Sequence, residues 1–440
     1  MDEEGETHAH SIDINDSIRT KLSVRRSNPS FVVSISCIYR VHKRIRKMNE
    51  DAYTPDIVSI GPYHRGMENL QAMEDLKLQY LQTLLGRTRE RTSLEEYVEA
   101  LKKLEDEARG CYSEPIKLSS NEFIEMMLFD GFFIIELFRK YFNSQYFRID
   151  DNDLIFYSKS RSAIIVRDLV LLENQIPISV LDKLFNLSMD PKHDSLPLIK
   201  MALYFFSGLI PQAMHKYPQK KDNIEVVVHN HLLDLLAYTL DSSLRVVKMP
   251  DLRTKVESLP CVTELLCSGV KFKKSPIYNG SLIDIKYNEG VIEIPQLCVH
   301  DFTESFFRNL MAYEQYRFGG TPYITSYATL MDYLINSVDD VAFLRDSGII
   351  VNQLGDDNKV FSLFSNLCNE ISSTDFYYNE LCDKVNEYYK RRIHRWKATL
   401  KRDYCDSPWK IISVVTAILL LFLTAWGTIF TTLPLFNVHA

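Results

Sequence analysis

A mainly α-helical single domain, with a small β-hairpin insert at about residues 270–297 and one C-terminal transmembrane helix, is the fold class this sequence predicts. Three observations carry it. Apolar residues recur at spacings of three and four through most of the chain, Gly and Pro are scarce (15 and 16 of 440 residues), and an uncharged apolar run stands at 411–433. Spacings of three and four place side chains on one helix face, and few breakers leave room for long helices.

In chain order, residues 1–30 read as a disordered tail, with Pro29 close to where the fold begins. The opening MDEEGETHAHSIDINDSIRT is acidic and has no apolar stretch after a basic start, so no secretory signal is expected. A helical domain over 31–375 follows. MENLQAMEDLKLQYLQTLL (67–85) and SLEEYVEALKKLEDEA (93–108) carry the helical period. SSNEFIEMMLFDGFFIIELFRKYF (119–142) opens with a Ser/Asn cap-like start and turns apolar nearly all round, which predicts a central core helix. RSAIIVRDLVLLENQIPISVLDKLF (161–185) predicts helix, a break at Pro177, then more helix. Further helices are expected near 196–210, 225–241, 255–267, 301–317, 323–338 and 357–371. The stretch VKFKKSPIYNGSLIDIKYNEGVIEIPQL (270–297) departs from this period. It alternates β-branched residues and breaks at Asn279-Gly280 and Asn288-Glu289-Gly290, the chemistry of hairpin turns. DKVNEYYKRRIHRWKATLKR (383–402) reads as one long helix within a basic juxtamembrane segment, 376–410.

Charge is distributed unevenly. The net charge of −7 argues against broad binding to a nucleic-acid backbone. Between Lys390 and Lys410 stand eight Lys/Arg and only two acids, Asp403 and Asp406, so the remainder of the chain is more acidic than the total implies. IISVVTAILLLFLTAWGTIFTTL, from Ile411 to Leu433, holds no charged residue. As a helix it would be roughly 34 Å long, enough to cross a hydrocarbon core of about 30 Å. Trp409 and Lys410 stand at its basic edge, where indoles and cations favour the interface, and a short tail (434–440) follows. The positive-inside rule then puts the body in the cytosol, with membrane lipid as partner of the span and of its basic flank. Ser413 and Ala417 make a small-xxx-small pair, a weak signal for self-association.

The eight cysteines contain no CxxC pair and define neither a zinc site nor a disulfide framework. SIGPYHRG (59–66) gathers Ser, Tyr and His without a nucleophile elbow, and a Gly-Pro turn explains it better. His229-Asn230-His231 lacks ligands at metal spacing, and Asp150–Asp153 lacks the Gly and distant Glu of a calcium loop. No phosphate loop or dinucleotide fingerprint occurs, and no cofactor is implied. More informative are polar residues inside apolar runs: Asp130, Glu173, Asn174, Arg308, Asn309 and Glu314. Their setting predicts burial, hence pairing, and we expect a polar network that fixes the central helices.

Several ordered motifs resemble the plant DUF247 (UPF0481-like) proteins. They are MNEDAYTPDIVSIGPYHRG (48–66), RGCYSE (109–114), EFIEMMLFDGFFIIELF (122–138), RDLVLLENQIP (167–177) and IPQLCVHDFTESFFRNLMAYEQ (294–315), together with the apolar C-terminal span. The resemblance covers roughly 31–435. One departure is His42 in YRVH, where the family pattern carries Pro, a change expected to loosen the first turn. The resemblance implies a plant membrane protein with a helical body and no established enzymatic activity, some grass relatives being linked to pollen self-incompatibility. The expectation is therefore a membrane-anchored interaction module with a protein partner. The alternatives are an enzyme with a pocket near Asp130, Glu173 and Arg308, and an oligomeric scaffold built on the 376–410 helix.

Overall fold

The computed structural model describes residues 18–19, 36–143, 155–156, 158–189, 194, 196–210, 229–245, 257–276, 281–317, 320–371, 375–391 and 408–436. It is mainly α-helical with two small sheets.

The first half is organised around α4 (Ser120–Asn143). It follows the turn α1 (Lys43–Arg46) and helices α2 (Gln71–Thr88) and α3 (Leu94–Gly110), and precedes α5 (Lys159–Asp168), α6 (Ile178–Ser188) and α7 (Leu198–Phe205). Phe132, Phe133, Ile134, Ile135, Leu137 and Phe138 are all buried, so α4 has no solvent face along that stretch, as its all-round apolar sequence predicts. Helices α2, α3, α6 and α7 enclose it. Local chemistry fixes the ends. Ser93 and Glu96 form a capping box on α3, and Ser158 caps α5. His42 does not loosen the first turn, because its Nδ1 accepts the Arg44 amide at 3.3 Å and caps α1.

The second half comprises α8 (Leu232–Arg245), α9 (Val262–Cys267), α10 (Thr303–Tyr316), α11 (Tyr323–Leu334), α12 (Val338–Asp346), α13 (Asp357–Leu367) and α14 (Asn379–Lys390). Its strands are β1 (Lys271–Lys274), β2 (Lys286–Asn288), β3 (Val291–Ile294), β4 (Leu297–Val299) and β5 (Ile350–Asn352). One continuous apolar core runs from Cys37 to Val385.

Three helix expectations need correction, and the strands pair in ways the sequence does not show. The 270–297 insert holds the expected hairpin with one further strand. β2 and β3 form the expected hairpin through Glu289 and Gly290, both at positive φ, but β1 lies parallel to β3 on its other side. The Asn279-Gly280 turn lies outside the described residues. A second sheet, β4 parallel to β5, joins strands separated by three helices and was not anticipated, nor was α12. Helix α5 stops at Asp168, well before Pro177. The Asn174 and Gln175 amides take up the carbonyls of Asp168, Leu169 and Leu171 at 2.8–2.9 Å, replacing the helical bonds a continued helix would make. The long helix expected over 383–402 ends at Lys390, where Arg391 turns to extended backbone, and the helix near 255–267 begins only at Val262.

The last helix, α15 (Pro408–Phe436), runs through the apolar segment. Its described side chains are exposed, among them Ile412, Leu419, Leu421, Phe422 and Trp426. Among the described residues no helix is long and apolar enough to cross a membrane. The side chains at 408–411, 414 and 428–436, which include Trp409, Lys410, Ile411 and Leu433, lie outside those described. So do most of the expected 1–30 tail, the basic segment from 392 to 407, residues 437–440, the Asp150–Asp153 turn, and the start of the helix expected at 225.

Gly61 marks the tightest backbone approach. Its φ is +72°, and an added Cβ would stand 2.5 Å from the Gln175 carbonyl oxygen. At Gly131 an added Cβ meets the Leu184 Cδ1 methyl at 2.4 Å, the movable end of a side chain. Gly61→Ala should therefore lower stability by at least about 2 kcal/mol. Gly131→Ala, which regains about 1 kcal/mol of helix propensity, should change it far less. Urea unfolding midpoints check this; equal midpoints for the two variants would contradict it.

Candidate functional site

Residues 36–66 hold little regular structure: α1, a 3-10 turn at Asp51–Tyr53 and one bridge between Ile38 and Tyr112. Yet Ile38, Tyr53, Val58 and Ile60 are fully buried. An irregular buried segment cannot pair its backbone within itself, so other parts of the fold must supply partners. Buried side chains do so along its length. Asp168, at the end of α5, accepts the amides of Asp56, Ile57 and Val58 at 2.9–3.2 Å. Asn174 accepts the Ile60 amide at 2.7 Å and donates to the Val58 carbonyl at 3.0 Å. Asp130 on α4 accepts the Gly61 amide at 2.8 Å, while Lys77 on α2 donates to the Ser59 carbonyl and to Asp130 at 2.5 and 2.6 Å. On α10, Ser305 and Asn309 donate to the Ala52 carbonyl at 2.7 and 2.8 Å. Arg167 donates to the carbonyls of Thr54 and Asp51.

Glu173, itself buried, holds two arginines of the segment that reach the surface. Its Oε1 accepts the Val41 amide at 2.7 Å and pairs with Arg46 at 2.5 Å, and its Oε2 lies 3.4 Å from Arg40. His64 Nε2 lies 3.7 Å from the same oxygen and makes no hydrogen bond to the described residues. Burial, reinforced by the guanidinium groups of Arg46 and Arg40, pushes the His64 imidazole down to about 4, so it is neutral near pH 7. Beside this cluster a groove of about 630 Å³ is lined by His42, Arg44, Ile45, Gln315, Tyr316, Glu370 and Ile371. The Tyr316 hydroxyl accepts from the His42 amide and donates to the Arg40 carbonyl, both at 3.1 Å, and its ring stacks on Tyr39 at 4.6 Å. Of the groove's charged lining residues Arg44 and Glu370 are exposed, and Arg40, Lys43 and Lys47 stand exposed on the neighbouring chain, Arg40 paired with Glu114 at 2.9 Å.

The residues singled out from sequence are buried, apart from Glu314, which is half-buried. They do not form one network. Asp130, Glu173, Asn174 and Asn309 each grip the 36–66 segment, and Asn309 also accepts the Leu172 amide at 2.9 Å. Arg308 pairs with Glu304 at 2.7 Å and donates to the Asn366 carbonyl, which fastens α10 to α13. The Glu314 carboxylate accepts the amides of Ile324 and Thr325 and the Thr325 hydroxyl at 2.7–2.8 Å, as an N-terminal cap on α11. Asp130, Glu173 and Arg308, the trio named for an enzyme pocket, share no hydrogen-bond partner among the described residues.

Sequence reasoning missed Asp168, Arg167 and Lys77. Lys77 was legible: it falls on the apolar phase of α2 between Met73 and Leu81. Asp168 offered little signal, because it falls inside the run read as helix up to Pro177 and nothing local shows that the helix ends there. Of the His229-Asn230-His231 triplet, His231 accepts the Asp234 amide at Nδ1 and so presents its Nε2 proton to the Cys37 carbonyl at 3.0 Å. No group of His, Cys, Asp and Glu that could hold a metal ion occurs among the described residues.

The DUF247 family, described as plant protein of unknown function, matches residues 38–423. Two Arabidopsis thaliana proteins are similar. UPF0481 protein At3g47200 is 30% identical over 88% of this chain and 84% of its own length. Putative UPF0481 protein At3g02645 is 24% identical over 88% of each. No solved structure matches the chain.

Burial pushes the Glu314 carboxyl up to about 7, against the pull of its three donors. The fold therefore holds a proton that the unfolded chain releases near 4.5. This contribution to stability is present below about pH 4.5 and lost as pH rises through about 7, a loss of at most about 3 kcal/mol. His64 acts oppositely, since the fold resists its protonation and loses stability as pH falls from about 6.5 toward 4. The difference in stability between the natural chain and Glu314→Gln isolates the first effect. It should favour the natural chain most at pH 4.5 and shrink toward pH 7.5. A difference that is flat across that range would contradict the assignment.

Proposed function

The chain belongs to the plant DUF247 family, and from that premise we propose that it is a single-pass membrane protein whose helical body serves as an interaction and recognition module. The observation that carries the membrane part is the exposure of α15. From Ile418 to Leu423 six consecutive apolar side chains are each 56–72% exposed. Successive helical residues step by about 100°, so six of them face every direction, and no side of this stretch is buried against the body. A core helix would bury at least one face, whereas apolar exposure all round suits lipid. The basic residues from Lys390 to Lys410 favour a cytosolic body and contact with anionic lipid headgroups.

The recognition part draws on the groove beside α1. It is formed by an anchored segment rather than a loose loop, and the exposed basic residues on and beside it suit an acidic stretch of a protein partner. Cell–cell recognition, such as pollen self-incompatibility, is the most concrete role the family resemblance offers.

Alkaline extraction of membranes carrying the full chain tests the anchor. The natural chain should stay with the membrane pellet. A Leu420→Arg, Leu421→Arg variant should move to the supernatant, each arginine near a helix centre costing about 2.5–3.5 kcal/mol on insertion. Protease added to cytosol-side-out vesicles should then digest the body. A natural chain that extracts freely, or a body protected in such vesicles, would sink the respective half of this reading.

A further inference from the structure

Cys37, at the start of the buried segment, and Cys111, which caps the end of α3, meet across a short parallel bridge. The Cys37 and Ile38 amides both donate to the Cys111 carbonyl at 2.9 Å, and the Ser113 amide donates to the Ile38 carbonyl at 3.0 Å. Ile38 pairs with Tyr112 in parallel, so the register sets Cys37 opposite Cys111. Paired backbones lie about 4.8 Å apart, within the span of about 4.4–6.8 Å between Cα atoms that a disulfide bridges. Paired residues also project to the same side, and the two thiols lie within hydrogen-bonding reach of each other. Both cysteines are free thiols; Cys37 is buried, while Cys111 is half-exposed and donates to the Glu107 carbonyl at 3.5 Å.

We propose that Cys37 and Cys111 form a thiol–disulfide pair, oxidised by a low-molecular-weight disulfide of the glutathione class, that staples the start of the buried segment to the end of α3. The test below does not depend on the membrane reading, although in a cytosolic body the pair would rest reduced and close only under oxidation. Cys111 attacks first, for two reasons. It is the thiol that a reagent can reach, and the hydrogen bond from Cys37 holds it below the usual thiol range, whereas Cys37 is pushed up by that bond and by burial. The Cys111 thiolate, its proton lost to solvent, attacks one sulfur of glutathione disulfide. That S–S bond breaks, one glutathione thiolate leaves, and a Cys111–glutathione mixed disulfide forms. Cys37 then loses its proton and attacks the Cys111 sulfur, and the second glutathione leaves as thiolate. The thiolates take up the two protons. Two cysteine thiols are oxidised and one glutathione disulfide is reduced to two glutathiones.

The staple would fix the strand that leads directly into Arg40, Val41 and the α1 turn, the part of the segment that Glu173 holds and that borders the groove. Reduction would leave that strand held by hydrogen bonds alone.

The test uses the full chain in detergent micelles, equilibrated with glutathione disulfide and glutathione, alkylated and mapped by peptide mass spectrometry. A cross-linked peptide pair joining Cys37 to Cys111, lighter by two hydrogens and reversed by dithiothreitol, is expected. Exposed Cys267 and Cys298 report whether the oxidant has acted. In Cys37→Ser, Cys111 should be trapped as the glutathione mixed disulfide. The proposal is overturned if Cys267 and Cys298 are modified while Cys37 and Cys111 of the natural chain are both recovered as alkylated thiols. It is equally overturned if either one is found joined to a different cysteine. Both readings come from the natural chain, so a variant that fails to fold does not protect the proposal.

Discussion

The Asp168 carboxylate accepts three consecutive backbone amides, those of Asp56, Ile57 and Val58, in a fully buried position. Much of the surrounding structure depends on the constraint this bond set answers. A segment with little helix or sheet of its own passes through the interior, and every amide and carbonyl left without a partner there would cost about 1–3 kcal/mol. Burial tends to push Asp168 up, while the three amides and the Arg167 guanidinium favour its charged form. The same arrangement recurs along the segment: Glu173 at Val41, Asn309 and Ser305 at Ala52, Asn174 at Ile60, Asp130 at Gly61. Helices α2, α4, α5 and α10 are thus held together partly through a strand of irregular backbone between them.

This arrangement changes how the polar residues of the core are read. Acids, amides and a buried lysine clustered in an apolar interior resemble the makings of an active site. Here their hydrogen-bonding capacity is engaged with backbone groups or with one another, as in the Lys77–Asp130 pair at 2.6 Å. Removing one partner of such a buried charged pair costs about 3–5 kcal/mol, mostly by stranding the other. Exposed charged groups lie at the surface, where His42 and Arg44 line a groove with Tyr316 and Glu370, and Arg40 and Lys43 stand on the chain beside it.

The helical body was legible because its helices carry strong local signals: the all-round apolar α4, the Ser93/Glu96 capping box, the turn at Asn288-Glu289-Gly290. What escaped depended on partners remote in sequence. β5 is a short apolar run whose pairing partner β4 lies three helices earlier, so nothing local distinguishes it from a helix end. The end of α5 at Asp168 follows from Asn174 and Gln175 capping its carbonyls, a competition no periodicity reveals. Polar residues in apolar runs did locate Asp130, Glu173, Asn174 and Asn309. Their partner could not be read, since backbone amides of a distant segment leave no mark in the sequence. The cysteines likewise carried no spacing signal, and only the bridge between Ile38 and Tyr112 brings Cys37 and Cys111 together.

The claim that buried side chains anchor an irregular segment in the core is tested most directly by native-state hydrogen exchange of the full chain, followed over peptides that cover residues 38–61. If Asp168, Glu173, Asn174 and Asp130 hold the segment as described, the amides of Val41, Val58, Ile60 and Gly61 will exchange as slowly as those of α4, opening only with the global fold. If they exchange within seconds, like a surface loop, while α4 stays protected, the segment is not part of the core and the account built on Asp168 is wrong.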